Sequence, residues 1–283
     1  MNEKLIDFTI GADPELSCAV GNRIISAGDY ASEDDNTEFG VDGNGCTFEL
    51  RPGPSKDPLD VVRNIHDIFV RQVIEKPDFL KFKWIAGGWW RGYPMGGHVH
   101  FGLKNTVIVP EIGVDFLDHY VGSISILLEV RSTGLKRRQD GYGAIHDHRI
   151  QPWGFEYRPM SSWLTDPYIA AAMLCLSKTV MYEVVNNSKF EWHKYAKRDD
   201  FAGMNRRRLL PLFPEIWADI TKMNLYQLYK PYLDLIYFLI SNKRSWMPAT
   251  GMKESWGVVN MTPCISNQIG LDVIWHRYNT EAE

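Results

Sequence analysis

Four short segments place ionisable side chains two residues apart, with bulky apolar residues beside them. They are Asp13 and Glu15 in IGADPELS, Glu49 and Arg51 in TFELR, His98 and His100 in GGHVHFG, and Glu156 and Arg158 in GFEYRP. Strand side chains alternate with period two, so each ionisable pair shares one face while Leu16, Phe48, Leu50, Val99, Phe101, Phe155 and Tyr157 take the other. A sheet burying the apolar set presents Asp13, Glu15, Glu49, His98, His100 and Glu156 together on its front. Carboxylates gathered this closely repel one another unless positive charge sits among them, and a divalent cation supplies it. Carboxylate oxygens with an imidazole suit Mg2+ or Mn2+ better than zinc. Magnesium held by carboxylates commonly takes nucleotide phosphate oxygens as its remaining ligands. Arg51, Arg137, Arg138, Arg149 and Arg158 lie on or beside these segments, and planar guanidinium groups clamp phosphate or carboxylate through two hydrogen bonds. Each pair also has a plainer reading: a solvated acidic face, a basic surface loop, or an arginine that only neutralises its neighbour. The recurrence of one arrangement in four segments favours a shared site.

The segments that must position these residues read mostly as strands in the first half of the chain. KLIDFTIGADPELSCAV is extended and interrupted near Pro14, since proline cannot complete an interior ladder. SAGDYASEDDNTEFGVDGNG is acidic and glycine-rich and reads as a loop. CTFELRP is a short strand ended by proline. DPLDVVRNIHDIFVRQVIEK is an amphipathic helix with Pro58 near its start and Val61, Ile65, Ile68 and Phe69 at helical spacing. FKWIAGGWWRG fits a strand or an aromatic loop. VPEIGVDFLDHYVGSISILLEVRS reads as a buried helix despite Gly122, and TGLKRRQDGYGAIHDHR as a basic loop leading to the strand WGFEYRP. In the second half, DPYIAAAMLCLSKTVMYEVVNN and NLYQLYKPYLDLIYFLISNK are long helices, the latter kinked at Pro231. ESWGVVNMTPCISNQIG is only weakly patterned. Strands first and helices later predict an α+β fold with an antiparallel sheet. The expected organisation is one domain over 1–283, strand-rich over 1–165 and mainly helical over 166–283.

With 283 residues, 45% of them hydrophobic and 13% aromatic, the chain can bury a large core. Its formal charge of -4 gives no electrostatic reason to expect general nucleic-acid binding. Cys18, Cys46, Cys175 and Cys264 are dispersed and form no C-x-x-C pair, which argues against a zinc knuckle and for a reducing compartment. No uninterrupted apolar stretch reaches the length of a membrane span, and MNEKLIDFTIG lacks a basic region followed by an apolar signal segment. The expectation is a soluble cytoplasmic protein with no membrane partner.

The order GADPELS, DGNGCTFELRPGP, GGHVHFG, RRQDGYG and FEYRPMSSWL, over residues 10 to 165, resembles the carboxylate-amine ligases of the glutamine synthetase and glutamate-cysteine ligase superfamily. More narrowly it resembles the phage-associated amidoligases called COOH-NH2 ligase type 2, which implies host cytoplasm for a phage-encoded member. The resemblance implies an antiparallel sheet forming a funnel, ATP with two or three Mg2+ ions, and an amide formed through an acyl phosphate. It implies that Glu15, Asp42 and Glu49 hold the metal nearest the acid substrate, and Asp13, His98 and Glu156 the metal at the nucleotide phosphates. Asp13 departs from the family's usual longer glutamate. His100 is implied at nucleotide or phosphate and Arg158 at the transferring phosphoryl group. Arg137 or Arg138 is implied at phosphate or substrate carboxylate, so these arginines and Glu49 make up the expected catalytic set. Arg149 and Gly97 are expected at the nucleotide, Gly97 because a missing side chain lets backbone approach closely.

The expected partners are a small-molecule or peptide carboxylate and an amine, with a homo-oligomer open. Two other readings stand beside the ligase. A metal-dependent phosphatase or amide hydrolase would use similar ligands with an activated water. A structural or partner-binding protein with a ligase-like fold would use the GGWWRGYP cluster as an interface, although Trp89, Trp90 and Arg91 could equally line a substrate pocket.

Overall fold

The computed structural model describes residues 6–32, 34, 37–42, 45–103, 110–246 and 252–258. Its strands are β1 (Thr9–Ala12), β2 (Glu15–Val20), β3 (Arg23–Ile25), β4 (Phe39–Val41), β5 (Phe48–Leu50), β6 (Lys83–Ile85), β7 (Trp89–Trp90), β8 (Tyr93–Pro94), β9 (Val99–Gly102), β10 (His148–Gln151) and β11 (Gly154–Tyr157). Its α-helices are α1 (Pro58–Glu75), α2 (Pro77–Lys81), α3 (Pro110–Leu117), α4 (Ser123–Leu128), α5 (Arg131–Gln139), α6 (Pro167–Asn186), α7 (Arg198–Gly203), α8 (Arg206–Leu209), α9 (Phe213–Ile220), α10 (Tyr226–Ser241) and α11 (Met252–Ser255).

Pro14 has no N–H to donate, and it divides the first extended segment between two sheets. β1 joins an antiparallel sheet of order β1-β9-β11-β10, and β2 joins a second sheet of order β3-β2-β5-β4 with β6 also paired to β2. In the first sheet the register sets Gly11 opposite His100, His100 opposite Glu156, and Glu156 opposite Arg149. Those residues therefore form one row across all four strands. The alternate row, Ile10, Phe101 and Phe155, faces the opposite way and is fully buried. In the second sheet Glu15 pairs with Glu49, and Glu49 with Gly40. The expected α+β, antiparallel architecture is present, as two sheets meeting at Asp13 and Pro14.

Helices cover the apolar backs of these sheets, and one hydrophobic cluster runs from Phe8 to Val258 through both halves of the chain. The helix α6 starts where Asp166 accepts a hydrogen bond from the Tyr168 N–H with Pro167 at its first position, both standard N-terminal devices. By length and mean composition α6 is apolar enough to cross a membrane, which the interrupted sequence run did not suggest, but 83% of that window is buried inside the fold. Here it is the central core helix. Pro231 lies inside α10.

Three segments differ from the sequence reading. The acidic stretch after Ile25 is not all loop: it holds a 3-10 turn at Ala27–Asp29 and then β4, while residues 33, 35–36 and 43–44 lie outside the described residues. The basic segment around Arg137 is the helix α5. Its Gly134 reads as punctuation, yet a side chain there would collide with Met204 and Glu129, so this glycine serves helix packing. The long buried helix is broken into α3, a π-helical turn at Asp118–Gly122 and α4. The aromatic segment resolves into β6 and the hairpin β7-β8, whose two turn residues, Arg91 and Gly92, both have positive φ (47° and 103°), as a tight two-residue hairpin requires. Cys18, Cys46 and Cys175 form no disulfide among the described residues; Cys264 and most of the weakly patterned C-terminal segment lie outside the described residues.

Within α6, the buried Lys178 donates to the Phe8 carbonyl at 2.6 Å and lies 3.8 Å from Asp7. Burial pushes its pKa down to about 8 from 10.5, with Asp7 opposing. The folded chain therefore binds fewer protons than the unfolded chain between these values, and stability rises with pH across that window. Denaturant titrations at pH 7.5 and 10.5 should show wild type gaining stability relative to Lys178→Met as pH rises. An unchanged difference would contradict the assignment.

Candidate active site

The front row of the first sheet and the carboxylates of the second face a common cleft of about 740 Å3. His100, Glu156 and Arg149 reach it from adjacent strands of one sheet, and Glu49 with Arg51 from the other. Asp13, at the seam, belongs to both walls. Its Oδ1 lies 3.1 Å from His98 Nδ1 and 3.2 Å from His100 Nε2. The His98 ring fills the junction, with Nδ1 also 3.1 Å from Glu156 Oε1 and Nε2 3.6 Å from Glu15 Oε1. Glu15 is held beneath by the Gly96 N–H, which donates to Oε2 at 2.8 Å. Arg51 grips both oxygens of Glu49 at 3.2 and 3.4 Å and donates to the Asp34 and Val41 carbonyls. Its guanidinium occupies the space a side chain at position 40 would need.

Carboxylates, arginines and imidazoles are gathered in this cleft, and the ionisation equilibria register it. Burial pushes Glu15 up to about 7, with Asp42 adding to the effect against His98. Burial and the neighbouring Asp13 push Glu49 up to about 8 despite Arg51. Burial alone would depress His98, but Asp13, Glu156 and Glu15 raise it to about 10. Burial opposes ionisation of Asp13, yet His98 and His100 hold its carboxyl well below the usual range. Glu156 is also lowered, His98 and Arg158 outweighing burial and Asp13. One imidazolium thus stands among carboxylates of which two retain protons near neutrality. A divalent cation would favour the ionised form of those two carboxylates.

One group of atoms fits such an ion. Ligand atoms of Asp13, His100 and Glu156 all lie within 4.8 Å of one another. Asp13 Oδ1, His100 Nε2 and Glu156 Oε1 are buried without a hydrogen bond of good geometry, an expensive condition unless another partner takes them. The oxygen-rich donor set with one imidazole suits Mg2+ or Mn2+.

Of the expected site residues, the structure brings Asp13, Asp42, Glu49, His98, His100, Arg149, Glu156 and Arg158 to the cleft wall, with Glu15 buried directly behind. Asp42 is 3.4 Å from the Thr47 hydroxyl. Arg149 and Arg158 flank Glu156 at 3.5 and 3.6 Å. Both histidines meet the same carboxylates: register sets His100 opposite Glu156, while His98, just before β9, has Nδ1 3.1 Å from both Asp13 and Glu156. Arg137 and Arg138 do not line the cleft, because the helix α5 turns them inward. Arg137 donates to the Pro159 and Arg158 carbonyls, and Arg138 to Glu129 at 2.7 Å. Arg137 still reaches the site through its field, which lowers Glu15. Gly97 lies off the cleft as well; a side chain there would strike Trp163 and the Ser161 carbonyl. Trp89 and Trp90 are absent from the cleft lining: Lys136 lies 4.2 Å over Trp89, whose Nε1 donates to Asp140, and Arg91 covers Trp90. Sequence reasoning missed Gln151 and Trp153, which line the cleft, Trp153 with its ring 5.1 Å from His100. Continuing the period-two alternation backward from Glu156 through a hairpin at Gly154 would have found Arg149 and Gln151 on one face.

Antiparallel sheets thus enclose a carboxylate-histidine cleft and are backed by helices, and the sequence places the chain among carboxylate-amine ligases. The chain belongs to the family described as phage phiEco32-like COOH.NH2 ligase-type 2, whose sequence model matches residues 10–258. Among solved structures, the ligase PafA in complex with the prokaryotic ubiquitin-like protein Pup aligns with a TM-score of 0.58 at 8% identity, covering 98% of this chain and 70% of that one. A bifunctional glutathione synthetase from Pasteurella multocida aligns with a TM-score of 0.43 at 12% identity (89% and 51% covered), and a novel glutamine synthase homolog with 0.41 at 14% (89% and 70%). A comparison with curated proteins returned no significant match.

The two histidines should separate experimentally. His100→Ala removes one member of the three-residue group and should weaken Mn2+ binding by about tenfold or more. His98→Ala leaves buried carboxylates without their cation and should destabilise the fold by about 3 kcal/mol, a loss that millimolar Mn2+ partly restores. Calorimetric Mn2+ titration and thermal unfolding of both variants check this; equal effects of the two substitutions on both readouts would contradict it.

Proposed function

We propose that the protein is an ATP- and Mg2+-dependent carboxylate-amine ligase that activates an acid as its acyl phosphate. The observation that carries this reading is the convergence of Asp13, His100 and Glu156 on one point of the cleft, with Arg149 and Arg158 beside them. An amine does not displace oxide from a free carboxylate. Phosphorylation by ATP converts that oxygen into a leaving group and removes the charge that repels the nucleophile. Asp13, His100 and Glu156 would hold the cation, with Glu15, Asp42 and Glu49 as the further acidic set. When bound, the cation neutralises phosphate oxygens during transfer.

The chain's own groups supply the remaining elements. Arg149 and Arg158 offer guanidinium forks to the charge on the transferring group. The two walls would hold the acid and the nucleotide close together in one cleft. His98, already cationic, keeps Asp13 and Glu156 ionised. Trp153, Gln151 and Thr9 form the remainder of the wall beside His100, where a nucleotide base would find an aromatic face. The acid is a small molecule or a peptide; PafA, seen with the protein Pup, makes peptide carboxylates a priority for testing. A reaction consuming ATP fits a cytoplasmic protein, in the host if the gene is carried by a phage.

Acids and amines, peptides included, can be screened for ADP release that requires both partners and Mg2+, with product mass equal to acid plus amine less water. Glu156→Gln should lower this activity by about a hundredfold or more. Amide or phosphate-ester hydrolysis without nucleotide would replace the ligase with a metal hydrolase. Nucleotide affinity unchanged by chelator would contradict the metal-dependent reading.

A further inference from the structure

Away from the cleft, a second cavity of about 540 Å3 opens where the start of α5 meets the turn between α7 and α8. It shares no lining residue with the first. Its lining includes three arginines, Arg131, Arg206 and Arg207, and one acid, Asp199. Like charges held in one hollow repel, so this concentration calls for an anion to balance it.

The nearby acids do not provide that balance, because they are already engaged. Glu129 accepts from Arg138 at 2.7 Å and from the Ser161 N–H and hydroxyl at 3.0 and 2.9 Å. Asp200 accepts from the Arg208 Nε at 2.7 Å and from the Lys197 N–H at 2.8 Å. Arg206 is fixed in place: it donates to the Leu127 carbonyl and, at 3.4 Å, to the Ser245 hydroxyl. Burial lowers its pKa and Arg131 adds to that, against Glu129. Arg131 and Arg207 are exposed, and their guanidinium groups make no hydrogen bond or ion pair among the described residues. One anchored arginine and two with unengaged guanidinium groups therefore line the hollow.

We propose that this cavity binds the phosphate group of a small phosphorylated molecule through Arg131, Arg206 and Arg207. Three guanidiniums against one carboxylate leave two positive charges in excess, which a phosphate dianion balances and a single carboxylate does not. Planar forks match its oxygens with paired hydrogen bonds. The cavity's volume suits a small ligand, and the buried Met204 gives it an apolar wall.

Inorganic phosphate, titrated calorimetrically into the full chain at constant ionic strength with EDTA present, should bind saturably, and glycerol phosphate should compete with it. The double variant Arg131→Ala, Arg207→Ala should weaken phosphate binding by about tenfold or more, and Arg207→Lys, which keeps the charge but loses the fork, by less. Glu156→Gln, in the other cleft, should leave it unchanged. Equal binding by wild type and the double variant would overturn the proposal, as would loss of binding in Glu156→Gln alone, or a signal that chloride reproduces. A phosphopeptide binding far more tightly than glycerol phosphate would overturn the small-molecule assignment in favour of a protein partner.

Discussion

The carboxylate of Asp13 is the constraint on which the site depends. It sits where Pro14 forces the chain out of one sheet and into another, at the seam that the His98 ring also spans between Glu156 and Glu15. Its Oδ1 faces both histidines, and through His98 it is coupled to Glu156 and Glu15. A protein gains nothing in stability from burying several acids around one imidazole. The fold tolerates the arrangement because most of the rest of the molecule is apolar packing. Glu15 and Glu49 keep their protons to elevated pH, which stores a demand for positive charge at the point where the chemistry requires it.

Behind the walls, a set of buried polar contacts keeps the strands from shifting. Asp118, in the π-helical turn, accepts from the Tyr157 hydroxyl at 2.8 Å and from the His146 N–H at 2.8 Å. Tyr157 follows Glu156 on β11, and His146 precedes Asp147, whose carbonyl takes the Arg158 N–H at 3.0 Å. The two residues that follow Glu156 are therefore tied, Tyr157 directly and Arg158 through the His146–Asp147 segment, to one buried carboxylate. On the other side, Glu129 holds Ser161, which forms a bridge with Gly96, the residue whose N–H holds Glu15. A π turn interrupts a helix at a cost in hydrogen-bond geometry, and such turns are frequent where function requires them.

Much of this was legible in the sequence because strand alternation is a hard rule: Glu49, His98, His100, Glu156 and Arg158 were placed on a shared front by period two alone. Proline at position 14 marked the break between sheets. The misreadings have physical causes. Gly134 resembles a loop residue because sequence does not show that Met204 packs against it, and a helix there turns inward Arg137 and Arg138, which the family resemblance implies at phosphate or substrate carboxylate. Gly97 looked like a place for ligand approach, when the group approaching it is Trp163. That His100 joins His98 at Asp13 and Glu156 follows from register, which depends on where β9 begins relative to β11, and alternation does not fix that.

An anomalous-scattering map from a crystal grown with Mn2+ and a non-hydrolysable ATP analogue tests the central claim directly. The account predicts a peak bonded to Asp13, His100 and Glu156, with phosphate oxygens completing the shell beside Arg149 and Arg158. Nucleotide bound in the cleft with no peak among those three residues, or a peak held elsewhere, would contradict it.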